Sequence, residues 1–148
     1  MTNTKYHKRF VALLAARGEE PAYLNIGGVG CCTDGHVLIV LGKPVATRGV
    51  VGGNHACVTE KSCGTLAEYM RDWSETEPVA VFIRDGLARL SNGLSRWVDP
   101  GFARIFDDCQ WRVWDTIGIN ARPFAVVRRG KLVALVMSMG KSEAEVNL

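Results

Sequence analysis

The residues best suited to metal chemistry are His55, Cys57 and Cys63, which lie close together in a glycine-rich stretch. Imidazole nitrogen and thiolate sulfur are the ligands that zinc prefers in proteins. Three more distant side chains of the same types complete the candidate set: Cys31, Cys32 and His36. The spacing lacks the paired Cys-x-x-Cys of structural zinc sites, and cysteine is among the residue types most often buried. Packing or free thiols explain the group better, so we predict no metal and no cofactor.

The sequence also lacks the common catalytic motifs. Gly27-Gly28-Val29-Gly30 is not followed by Gly-Lys-Ser/Thr and opens no predicted helix, so these are turn glycines rather than a phosphate-binding loop. The three histidines have no recognised catalytic spacing, and neither Gly-x-Ser-x-Gly nor His-Glu-x-x-His occurs. We therefore predict a protein that is not an enzyme.

Length and composition are those of one globular domain. The 148 residues can bury roughly 70% of the surface that the unfolded chain exposes, and we expect one domain over residues 1–140 with a polar tail at 141–148. An odd number of cysteines, five, favours reduced thiols, and we find neither a membrane span nor a signal-peptide pattern. These features predict a cytoplasmic location without membrane contact. The net charge of +3 permits weak attraction to nucleic acid without requiring it.

The first helix is predicted to follow Asn3 or Thr4 as its cap and to end at Gly18. Its buried face consists of apolar residues at helical spacing, namely Tyr6, Phe10, Leu13 and Leu14. The basic residues of this segment are the candidate phosphate contacts, acting through charge without sequence preference: Lys5, Lys8, Arg9 and Arg17. A solvated helix face is the alternative interpretation of the same residues.

Short strands and two further helices follow in the pattern. Apolar runs between turn residues predict strands at 22–26, 29–32, 37–41, 45–51, 79–84, 87–91, 94–98 and 111–119. Thr65 and Glu68 form a capping-box pattern that predicts the start of the second helix, with an apolar stripe at Leu66, Tyr69, Met70 and Trp73. Asp99 and Pro100 predict the cap and first position of a third helix.

The most regular part of the chain is residues 122–139, in which two apolar runs flank Arg128-Arg129-Gly130-Lys131. This pattern predicts a hairpin with both strands largely buried. Together, these elements predict an α+β domain with a mainly antiparallel sheet and two or three short helices.

Two motifs in this order of elements resemble a lobe of the bacterial sliding clamp, the β subunit of DNA polymerase III. The segment Thr-Asp-Gly-His-Val-Leu at 33–38 is similar to the clamp's Thr-Asp-Gly-His-Arg-Leu, and Leu-Val-Met-Ser-Met at 135–139 to its closing Val-Val-Met-Pro-Met. Val37 and Ser138 stand where the family has arginine and proline. The resemblance spans most of the chain except about residues 49–76, and it implies a single clamp-like lobe.

In the family, the two segments line the pocket that receives linear peptides from polymerases and repair factors, and they come from different lobes. The resemblance therefore implies a partner-binding patch formed within one copy, or between two copies associated head to tail as a homo-oligomer. The patch would consist of Thr33, Gly35, His36, Leu38, Met137 and Met139. For Met137 and Met139, the alternative is that they complete a core strand.

The leading functional hypothesis is a non-enzymatic, sliding-clamp-like protein that binds DNA, replication proteins or both. The alternative is a small regulator or inhibitor, such as a mobile-element protein, that uses the lobe to block a nucleoprotein partner. In that case the segment around residues 50–73 and the exposed tryptophans would carry the partner site, since aromatic residues are enriched in interfaces. The tryptophans are Trp73, Trp97, Trp111 and Trp114.

Overall fold

The computed structural model describes residues 3–49, 60–82, 87–89, 95–114 and 122–137. These residues form three helices, α1 (Thr4–Ala16), α2 (Glu60–Asp72) and α3 (Pro100–Ile105), and one turn of 3-10 helix at Trp73–Glu75. The described strands are β1 (Ala22–Ile26), β2 (Val29–Thr33), β3 (Val37–Gly42), β4 (Glu77–Phe82), β5 (Leu87–Arg89), β6 (Ser95–Trp97), β7 (Gln110–Val113), β8 (Phe124–Arg128) and β9 (Lys131–Val136). The predicted α+β class is confirmed. None of the described helices is long and apolar enough to cross a membrane.

All nine described strands belong to one antiparallel sheet in the order β1-β2-β3-β9-β8-β7-β4-β5-β6. Most neighbours are also consecutive in the chain, and β3 with β9 is the pairing that joins its two ends. The strand β4 serves two partners: Glu77–Val79 pair with β7, whereas residues 80–82 pair with β5. The predicted hairpin of β8 and β9 is confirmed, with Arg128 opposite Lys131.

The sheet is covered on both faces, which explains why β8 and β9 are almost continuously apolar. One face packs against Phe10 of α1 and Phe102 of α3, and the opposite face packs against Leu66 and Met70 of α2. Because successive strand residues point to opposite faces, Phe124 and Val126 enter the first core, and Ala125 and Val127 the second. The predicted stripe on the second helix is half-buried and packs against the second core.

Several local predictions meet a different outcome. The helix α2 begins at Glu60, so the prediction that Thr65 caps its start is wrong. The predicted strand at 45–51 is not formed over the described residues 45–49, where only Arg48 makes a bridge, to Tyr23. The predicted cap at Asp99 is confirmed, because its carboxylate accepts a hydrogen bond from the Gly101 N–H at 2.8 Å.

Asn3 occupies the residue before α1 but does not cap it through its side chain, which donates to the Val40 carbonyl instead. Gly18 follows the helix with a φ of +74°, as predicted for its end. The predicted meander turns at 85–86 and 92–93, the distal part of the strand at 111–119 and the tail at 141–148 lie outside the described residues.

A partly buried polar contact ties the first helix to the end of β8. The hydroxyl of Tyr6, which is fully buried, donates to Asp108 Oδ1 and accepts from Arg128, both at 2.9 Å. Burial acts to raise the pKa of Asp108, but hydrogen bonds from Lys5 and Tyr6 and the charge of Arg128 outweigh it, and the pKa lies well below its ordinary value. Asp108 thus stabilises the fold in its ionised form.

We expect the Asp108→Asn variant to have a lower free energy of unfolding than wild type at pH 7. The depressed pKa means that the unfolded chain takes up this proton first, so the contribution of Asp108 is present above about pH 4 and is lost on further acidification. Urea denaturation from about pH 7 to 2.5 should therefore show the gap between the proteins narrowing. Asp107→Asn serves as the control, and a constant gap for Asp108→Asn would contradict the assignment.

Candidate functional site

The two motifs that carry the resemblance meet within one copy of the chain. Val37 of β3 is paired with Val136 of β9, and one step further the Met137 N–H donates to the His36 carbonyl at 2.7 Å. The turn before β3 and the end of β9 are therefore adjacent on the same edge of the domain. Contact between two copies is not needed to bring them together.

The turn at 33–36 is held by its own side chains. Asp34 Oδ1 accepts from the N–H groups of His36 and Val37 at 2.8 and 2.9 Å, and Thr33 Oγ1 accepts from the Gly35 N–H at 3.0 Å. Gly35 has a φ of +95°, a conformation that side-chain-bearing residues rarely adopt. Local hydrogen bonds of this kind satisfy the backbone where strand pairing is absent. Contacts within the turn consequently fix the backbone of His36.

The predicted partner-binding residues differ greatly in accessibility. Thr33 and Leu38 are 3% and 4% exposed, whereas His36 is exposed and Met137 is 39% exposed. Among the described residues, Met137 is the large hydrophobic side chain left exposed, so it does not complete the core as its alternative interpretation required. Gly35, His36 and Met137 form what we call the His36/Met137 surface. Met139 lies outside the described residues.

Leu38 supports this surface from below. It lies opposite Leu135 in the β3–β9 pairing and belongs to the core that packs against α2. Thr33 is equally buried and uses its hydroxyl within the turn. The structure therefore gives these two residues a supporting position, in contrast to the partner contact predicted for them.

An open groove runs alongside the turn between the end of α1 and the start of α3. Its lining residues are Arg17, Gly18, Glu19, Glu20, Pro21, Asp34, His36, Gly49, Asp99 and Phe102. Glu19, Glu20 and Phe102 were not predicted as site residues, because four separate segments converge here and no spacing pattern links them. The groove is mainly acidic, since Arg17 already pairs with Asp99 through two contacts of 2.8 and 3.0 Å.

Most of the candidate phosphate contacts are occupied by carboxylates near α3. Lys5 pairs with Asp108, Arg9 with Asp107 at 3.5 Å, and Arg17 with Asp99. Arg9 also donates to the Ile105 carbonyl at 3.0 Å. Three of the four basic residues thus hold α1 against α3.

Lys8 is the fourth candidate phosphate contact and is exposed on α1. The aspartates that pair with Lys5, Arg9 and Arg17 would repel nucleic-acid phosphate. The basic residues of α1 do not add up to a continuous positive face.

The described cysteines have the character of core residues. Cys31 and Cys32 are fully buried and lie in the two different cores, one on each side of the sheet. Burial raises the pKa of Cys32 to about 12 and that of Cys109 to about 11, so both thiols are protonated and weakly nucleophilic at neutral pH. The described residues contain no cluster able to hold a metal ion. His55, Cys57 and the side chain of Cys63 lie outside them.

The tryptophans divide into two pairs. Trp111 and Trp114 are 5% and 4% exposed and belong to the two cores. Trp73 and Trp97 are half-buried and could contribute to a contact with another molecule. Only the second pair is therefore compatible with the interface role that the regulator hypothesis requires.

We expect Asp34→Ala to lower the free energy of unfolding by about 1–2 kcal/mol, because two backbone N–H groups lose their acceptor. Asp34→Asn keeps an oxygen at the same position and should remain within about 0.5 kcal/mol of wild type. Chemical denaturation of both variants measures the difference. Equal losses for the alanine and asparagine variants would show that the turn does not depend on this acceptor.

Removing the carboxylate of Asp107, which pairs with Arg9, should show how far this ion pair suppresses nucleic-acid binding. We expect Asp107→Asn to bind a double-stranded oligonucleotide more tightly at about 50 mM salt, with a log–log salt dependence steeper by about one charge. Glu75→Gln makes the same charge change in the exposed 3-10 turn and is the matched control. If the two variants bind alike in fluorescence anisotropy, Arg9 is no phosphate contact.

Comparison of the chain with protein families, curated proteins and solved structures gives no match. Function must therefore be inferred from the geometry of the described residues and from the motif resemblance. The His36/Met137 surface is the feature that both the geometry and the motif resemblance support.

Proposed function

We propose that this protein is a non-enzymatic, sliding-clamp-like binding module whose His36/Met137 surface receives an apolar side chain of a partner protein. The observation that carries the proposal is the Met137 N–H to His36 carbonyl hydrogen bond, which joins the two clamp-type motifs in one copy and leaves Met137 exposed. A rigid turn beside a flexible apolar side chain is a suitable surface for a linear segment of another protein.

The rigidity of the turn supports binding because less freedom is lost when a partner docks. Asp34 and Thr33 already satisfy the amides of the turn, and Leu38 and Leu135 fix the strands beneath it. Methionine can adapt its unbranched side chain to different partner residues. The surface thus combines a fixed frame with one adaptable contact, an arrangement that lowers the entropic cost of recognition.

Nucleic-acid binding is the less supported part of the proposal. The overall charge of +3 favours a polyanion, yet Asp99, Asp107 and Asp108 offset the basic residues of α1. The groove beside His36 adds the carboxylates of Glu19 and Glu20. A protein partner is therefore favoured over DNA at this surface, and any DNA contact would be weak, independent of sequence and sensitive to salt.

We expect Met137→Lys to weaken binding of the apolar peptides that wild type selects from a random linear peptide library. Met137 belongs to neither of the two cores, so its replacement should change thermal stability little. Lys131→Ala, at the opposite end of β9 and also exposed, is the matched control and should retain binding. Affinity can be measured by isothermal titration, with a loss of at least about tenfold expected for Met137→Lys.

Failure of wild type to select any peptide, or equal binding by Met137→Lys, would refute the proposed surface. Affinity capture from cell lysate with the same pair of proteins addresses the class of partner. Recovery of a polymerase by wild type alone favours the clamp-like role. Recovery of one unrelated nucleoprotein complex by both proteins would favour a regulator that uses another surface, such as that around the half-buried Trp73 and Trp97.

A further inference from the structure

The strand β1 lies at one end of the described sheet, and a segment without regular structure covers its outer edge. This segment, residues 43–49, leaves β3 and returns alongside β1. We call residues 45–48 the strap. An uncovered strand edge offers a row of unpaired N–H and C=O groups to any other chain.

Four hydrogen bonds hold the strap on the edge. The backbone of Arg48 exchanges two with the backbone of Tyr23, at 2.8 and 3.0 Å. The side-chain amide of Asn25 supplies the other two, donating to the Val45 carbonyl and accepting from the Val45 N–H, both at 2.8 Å. The amide of Asn25 thus acts as an additional peptide group, and the strap is held at both of its ends.

The surrounding residues are suited to this arrangement. A Cβ atom on Gly30 would lie 2.0 Å from the Lys43 carbonyl oxygen, so only glycine lets the chain pass this close to β2. Pro44, which has no N–H to offer a pairing strand, comes next, and the Arg48 guanidinium stacks on the Tyr23 ring at 4.2 Å from its centroid. Lysine, proline and a covering segment are all found where proteins protect a sheet edge.

We propose that the strap, held by Asn25, prevents the edge of β1 from pairing with the same edge of a second copy of this chain. This inference is independent of the His36/Met137 surface. The backbone N–H and C=O of Tyr23 point away from β2, toward Arg48. Because these groups alternate in direction along an antiparallel strand, the backbone N–H and C=O of Asn25 also point away from β2. If the strap were released, the unpaired backbone N–H and C=O groups of residues 23 and 25 could form hydrogen bonds with a strand of another molecule.

The first experiment removes the side-chain amide with Asn25→Ala, an exposed position whose replacement leaves the core untouched. Hydrogen exchange should show reduced protection of the Val45 and Arg48 amides. Sedimentation over a range of concentrations should show self-association strengthened by about tenfold or more relative to wild type. Val45→Pro removes the N–H that donates to the Asn25 side chain. It should likewise strengthen self-association, although every residue of the sheet is unchanged.

The matched control is Asn25→Pro, which also lacks the side-chain amide. Proline in addition removes the backbone N–H that points away from β2 and that pairing at this edge needs, while the hydrogen bonds between β1 and β2 stay intact. It should release the strap without strengthening association. The proposal would be overturned if Asn25→Ala reduced the hydrogen-exchange protection of the Val45 and Arg48 amides but did not strengthen self-association. So would unchanged protection of Val45 and Arg48, or equal association by the alanine and proline variants.

Discussion

The pairing of β3 with β9 is the interaction on which the rest of this structure depends. It places Val37 beside Val136, and thereby joins the hairpins β1–β2 and β2–β3 to the strands that end the described chain. Without it, the sheet would divide into two smaller pieces, each with an exposed apolar edge. The same pairing places Met137 beside His36, so the candidate site exists because β3 and β9 are neighbours in the sheet.

The two cores follow from this single sheet. Because α1 and α3 cover one face and α2 the other, nearly every residue of β8 and β9 must be apolar. The ion pairs between α1 and the region of α3 serve the same arrangement, since Lys5, Arg9 and Arg17 hold carboxylates at the rim of the first core. Charges that resemble a nucleic-acid contact in the sequence are thus used to join two helices.

Local signals predicted the elements that depend on local physics. The hairpin of β8 and β9, the cap of α3 at Asp99 and the end of α1 at Gly18 need only turn conformation, capping and apolar spacing. The misassigned start of α2 arose because Thr65 and Glu68 have a capping pattern that is met inside a longer helix. Over the described residues 45–49 the predicted strand is not formed, because the amide of Asn25 and the bridge at Arg48 supply bonds that a strand would otherwise make.

The sequence alone thus determined the α+β class, the apolar strands and the residue types of the two motifs, because these depend on periodicity and on neighbours a few positions apart. Only the tertiary structure decided that the motifs meet in one copy, that Thr33 and Leu38 are buried while Met137 is exposed, and that three basic residues are paired. The physical reason is that exposure and charge compensation depend on segments distant in the chain. Residue 37 and residue 136 carry no local sign of each other, yet their pairing creates the surface.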